Sequence, residues 1–175
     1  GTTGLSCLNS WSNNFTSMDV HQDIEGLPNG VYSVSARAIT QGLGQQHAYA
    51  TSSVGTVVSE DMTIVGWDSY EWETWTTAKV VVIDGKLRIG FASVSAGDVN
   101  GWYQVTDFQL KYYGEASEED LKAAWEASLD RAEEMVDILL KGDSKGVLAA
   151  IDAAKPLAAA GKYVDACQAL NPSVA

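Results

Sequence analysis

The chain reads as mainly β: an antiparallel β-sandwich followed by a short three-helix segment. Three observations carry that expectation. Apolar residues alternate before Gly114 and recur at helical spacing after it. Turn residues, LPNG at 27–30 and Asp84-Gly85, cut the first part into short runs. No helical stretch interrupts those runs, which is the pattern of a sandwich. The division falls at residues 1–114 for the sandwich and 115–175 for the helices.

The strands follow in order. Met18, Val20, Gln22 and Ile24 share one face of a strand, and Asp19, His21 and Asp23 the other. The parity places Gln22 inward, where its amide would tie down a neighbouring backbone. After LPNG, Tyr32, Val34, Ala36 and Ala38 point inward, and Ser33, Ser35 and Arg37 outward. Weak strands are expected around His47–Ala50, Thr56–Val58 and Met62–Val65. Val80 to Ile83 is apolar on both faces, which suggests a central strand. Asp84-Gly85 then reads as a two-residue hairpin leading to Leu87, Ile89 and Phe91. The last strand, WYQVTDFQLKYYG, puts Phe108, Leu110 and Tyr112 on one side.

The helices are as explicit. Ser117 with Asp120 three residues on reads as a capping box. Leu121, Trp125, Leu129, Ala132, Val136, Leu139 and Leu140 form a stripe that Gly142 ends. A second helix runs from Ser144, with Pro156 expected to kink or split it. A third carries Tyr163, Val164, Cys167 and Leu170, with Asn171-Pro172 as its stop. Three short amphipathic helices can bury their stripes only against one another or against the sandwich.

Composition excludes some functions. The net charge is -12, and the 11 Lys and Arg are scattered singly, which argues against nucleic acid and anionic membrane surfaces. No run approaches the about 18 apolar residues of a spanning helix. Cys7 and Cys167 have no metal spacing; they read as separate thiols unless the termini meet. Paired carboxylates such as Glu71 and Glu73 lie two apart on one extended segment and so point the same way. They cannot face each other across a cleft as glycosidase chemistry requires. No nucleophile elbow, phosphate loop or His-based metal motif is present, so the expectation is a protein that is not an enzyme.

One stretch stands out. VGWDSYEWETW, residues 65–75, holds three tryptophans, a tyrosine and three carboxylates in eleven residues. A core would want the rings without the acids, and a solvated loop the reverse. The mixture suits a surface that meets something flat, polar and neutral. Trp75 directly precedes a buried strand and reads as core. Trp67, Tyr70 and Trp72, with Glu71 as a hydroxyl acceptor, are the binding candidates, and Trp102 joins them.

Three phrases, DVHQDIEGLPNGVYSVSARA, VVVIDGKLRIGF and WYQVTDFQLKYYG, resemble the jelly-roll, galactose-binding-like modules of large secreted or surface proteins of gut bacteria that degrade glycans. The tail is similar to the small helical bundles that often follow such modules. The resemblance covers residues 11–114 well. It implies a non-catalytic carbohydrate-binding module of an extracellular bacterial protein, secreted or cell-surface, with polysaccharide or oligosaccharide and other domains of its parent protein as partners. It also implies a glycan cleft built from loops at one end of the sandwich, to which Trp102 would contribute, and a structural calcium at Asp107. The acidic partner such a calcium would need is missing from the first strand, which reads LSCLNSW. Fold does not settle function, so a structural spacer or protein-interaction module stands as the alternative.

Overall fold

The computed structural model describes residues 6–41, 45–61, 71–138 and 144–174. Seven strands come first: β1 (Leu8–Ile24), β2 (Gly30–Gln41), β3 (Gln45–Ser52), β4 (Gly55–Val58), β5 (Glu73–Thr76), β6 (Val80–Val82) and β7 (Leu87–Gly114). Three helices follow: α1 (Glu118–Ile138), α2 (Ser144–Ala159) and α3 (Tyr163–Val174).

The 28-residue β7 organises the sheet. All its pairings are antiparallel. It runs beside β1 from Leu87↔Ile24 to Val105↔Leu8, with register shifts at Ser12, Phe15 and Ser17. Its first part also pairs with β3, and its second part with β2. One hydrogen-bonded network therefore folds into two layers hinged on the β1–β7 ribbon. One layer is β4-β3-β7-β1. The other is β1-β7-β2, with β5 and β6 side by side along the far edge of β2. The sequence suggests two strands separated by SAGDVNG; the chain instead runs as one strand through that stretch.

The inward parity of β2 holds. Tyr32, Val34, Ala36 and Ala38 are buried between the layers with Phe91, Tyr103 and Val105 of β7 and Ala48 and Ala50 of β3. Trp75 packs at the margin of that core.

Several expectations are corrected. The Asp84-Gly85 turn closes no hairpin: β6 pairs with β2, while Leu87 opens the opposite layer. Gly85 still takes the positive φ of 71° that the turn needs. The Asn29 side chain ties this turn to LPNG, donating to the Ile83 carbonyl at 2.9 Å and accepting from the Gly85 N–H at 3.0 Å. β6 is not central. Its two faces are apolar because Val80 and Val82 face the sandwich core while Val81 faces the helices. Gln22 has the inward parity but lies on an edge strand and is exposed, so water can satisfy its amide. α2 continues through Pro156, and α3 passes over Asn171-Pro172 to Val174. Met62–Val65, Leu139, Leu140 and Gly142 lie outside the described residues.

The helices pack on the outside of the sandwich. Trp125, Ala132, Val147, Ile151, Ala154, Cys167 and Leu170 share one buried cluster with Val31, Val54 and Val81. Cys7 and Cys167 are both free thiols, and burial pushes the Cys167 thiol up to about 11.

Candidate functional site

Strand parity builds a distinct outer face. Tyr103 and Val105 point into the core, so Trp102, Gln104 and Thr106 point out. On β2, Arg37, Ile39 and Gln41 point out by the same rule. The register aligns them in rows across the strands. Gln41 lies beside Trp102, and Trp102 beside Trp11 of β1. In the next row Ile39 lies beside Gln104, and Gln104 beside Asn9. Beyond that, Thr74, Arg37 and Thr106 line up across β5, β2 and β7.

Polar contacts fix the rings. The Trp102 indole N–H donates to Gln41 Oε1 at 2.7 Å. Gln41 is itself buried, so its amide is a rigid anchor and sets the plane of the half-buried indole. Trp11 is 60 % exposed although it occupies a strand, and its neighbour across the ladder is that same indole. Trp72 precedes β5, and the Arg37 guanidinium lies 5.8 Å from its ring centroid. A guanidinium over an indole is a favourable cation–π contact that holds both groups. Ile39, between Arg37 and Gln41 on the same face, is buried.

Trp72 and Trp102 thus stand on the same outer face. Trp102 is part of β7 and not of an end loop, so among the described residues its ring stands on a sheet face. Glu71 is exposed beside Trp72. Trp67 and Tyr70 lie outside the described residues. Trp11, Gln41, Arg37 and Gln104 complete the face and were not singled out from the sequence. The alternation Trp102, Gln104, Thr106 against Tyr103, Val105 contained the signal for half of it. The Trp11–Trp102 pairing depends on a register between distant segments and left no local trace.

Asp107 takes a positive φ of 53° at a register shift in β7. Both its carboxylate oxygens accept from the Gln109 amide, each at 3.1 Å. Among the described residues no group of three His, Cys, Asp or Glu side chains gathers anywhere. The described partner of the Asp107 carboxylate is thus the Gln109 amide, and calcium at this turn is a matter for chelation experiments.

No family model matches the sequence, and no curated protein matches it. Solved structures do. A carbohydrate-binding module, TmCBM61 in complex with beta-1,4-galactotriose, aligns with a TM-score of 0.51 at 22 % identity, over 61 % of this chain and 70 % of that one. The C-terminal domain of EclA, described as a sugar-binding protein, gives 0.48 at 14 % identity, over 63 % and 81 %. A CBM35 module of Abf62 from Cellvibrio japonicus gives 0.39 at 17 %, over 66 % and 82 %. The first of these carries the conclusion on architecture: the fold of this chain is the carbohydrate-binding-module type of β-sandwich, followed by three helices.

Proposed function

We propose that this chain is a non-catalytic carbohydrate-binding module of an extracellular bacterial protein that degrades or displays glycans. The observation that carries the reading is the outer face of β1, β7 and β2. It combines indoles at Trp11, Trp102 and Trp72 with amides and a guanidinium at Gln41, Gln104 and Arg37. Sugar rings present apolar C–H faces that stack on indoles, while their hydroxyls need amide and guanidinium partners. An indole fixed by a buried glutamine loses little entropy on binding. The likeness of fold to a module crystallised with a galactotriose supports the same reading. Ile39 and Gln41 of that face are themselves buried, so the accessible part of the platform is Trp11 with the half-buried Trp102 and Gln104, and a contact area this small gives modest affinity.

Replacing Trp102 or Trp11 with Ala tests the proposal by affinity electrophoresis on a panel of plant and host polysaccharides. Each variant should lose retention by at least about tenfold, the scale of one stacked ring, while its circular dichroism stays unchanged. Trp72→Ala should weaken binding in the same gels. If the variants are retained as strongly as the parent chain, the face is not the site. If nothing retains the parent chain, the spacer reading takes its place. Gels run with and without a chelator test calcium separately.

A further inference from the structure

The platform does not end at Arg37. The outer face of β2 and β7 continues through Ser35 beside Gln109 to Ser33 beside Lys111. From Gln41 to Ser33 this strip is about 26 Å long at the rise of a β-strand. At its far end stands Tyr113, 44 % exposed. The Lys111 ammonium lies 4.7 Å from the Tyr113 ring centroid and the Lys79 ammonium 4.8 Å from it. The phenol shares a hydrogen bond with Ser33 Oγ at 3.1 Å.

Two ammonium groups on one exposed ring repel each other, and one ring face offsets that only in part. Three of the other described lysines pair with carboxylates, Lys86 with Glu25, Lys122 with Glu126 and Lys155 with Glu133, but none of them shares a ring with a second ammonium. Among the described residues neither Lys79 nor Lys111 has a carboxylate within 4.0 Å. The Lys79 charge contributes to lowering the Asp120 carboxyl from beyond that distance, after the Ser117 hydroxyl and N–H that hold it. Asp107, the carboxylate within the strip, is occupied by Gln109. The hydrogen bond from Ser33, and then the two lysines, hold the Tyr113 phenol below its ordinary range. Acids outnumber bases 23 to 11 here, yet Arg37, Lys79 and Lys111 all converge on this one face. Glu71 and Asp107 stand on the same face, so the excess of positive charge is local to the Tyr113 end, where Lys79 and Lys111 meet.

We propose that the strip binds glycans bearing anionic substituents, uronate carboxylates or sulfate esters, with the anion held between Lys79 and Lys111 beside Tyr113. Neutral residues of the same glycan would lie over Trp102 and Trp11. This rests on the carbohydrate-binding reading and adds the substrate class to it.

A glycan array of neutral, uronate-bearing and sulfated oligosaccharides provides the first screen. Affinity gels then compare polygalacturonate with its carboxyl-reduced form, and a sulfated galactan with its desulfated form. The acidic form of at least one pair should be retained about tenfold more tightly, with the advantage falling as salt rises. The doubly substituted variant K79Q/K111Q should lose that advantage and keep the residual binding to the neutral form, whereas Trp102→Ala should lose both. The two pairs distinguish carboxylate from sulfate. Equal retention of acidic and neutral forms, or an unaltered preference in the double variant, overturns the proposal while leaving carbohydrate binding intact. An array without any signal overturns both.

Discussion

Gly90 shows how a single residue shapes the second layer. It sits in β7 on the outer face, and the Tyr49 ring lies directly over it. A Cβ at position 90 would come within 2.6 Å of Cε1 and Cζ of that ring and 2.7 Å of its phenol oxygen. The Tyr49 phenol donates to Asp19 Oδ1 at 2.7 Å, so the ring cannot simply swing away. Burial first, and then that bond, push the phenol well above its ordinary range. Gly90→Ala should therefore destabilise the fold by about 1–3 kcal/mol, the usual cost of overpacking. A urea titration measures it, and an unchanged midpoint would mean that the ring moves freely. The pattern Leu87, Ile89, Phe91 marked Gly90 as outward-facing in the sequence. That a tyrosine from another strand fills its missing side chain was not legible, because the contact depends on the β3–β7 register.

At the scale of elements, local signals were the readable ones. Ser117 and Asp120 form the reciprocal cap. The Asp120 N–H donates to Ser117 Oγ at 3.1 Å, and the Ser117 N–H donates to Asp120 Oδ2 at 3.0 Å. Both partners lie within four residues, so the sequence alone specifies the motif. The hydroxyl and N–H of Ser117 lower the Asp120 carboxyl below its ordinary range. Ser117→Ala should cost about 1 kcal/mol, seen as a lower thermal midpoint with no change in glycan retention. The strand pairings were a different matter. Leu87 to Phe91 and Trp102 to Leu110 each showed the right alternation, and the sequence even offered Asp84-Gly85 as a hairpin turn. What decides their partners is which layer each strand joins. That is settled by burial of Phe91, Tyr103 and Val105 against β2 and β3, not by the turn. The same limit applies to the platform. Trp102 was visible as a ring to be explained, but Trp11 becomes its neighbour only once β1 lies along β7.

For the molecule as a whole, the change of period at Gly114 marks where strand gives way to helix. Apolar packing nevertheless crosses that point. Val31 and Val81 point away from the sandwich core and are buried by α1 and its companions, in a cluster that reaches Cys167 and Leu170. Ending the chain after Gly114 would bare that surface. Burial is worth about 25 cal/mol per Å² of apolar area, so the shortened sandwich should unfold at a lower denaturant concentration than the full chain and self-associate. Size-exclusion chromatography with denaturant titration checks both expectations, and a monomer of undiminished stability would show the helices to be an independent appendage. The apolar doublet of Val80–Ile83 contained this information in the sequence, but a second apolar face looks the same whether another strand or a helix covers it.

The two layers of this protein are not joined by loops alone. β7 belongs to both, and β1 follows it along most of that length. Melting of one layer would therefore leave the other with β7 and β1 ordered over only part of their length. The ring platform on one side and the Tyr49–Asp19 face on the other are consequently carried by one continuous pair of strands, along which a lesion in either layer reaches the other.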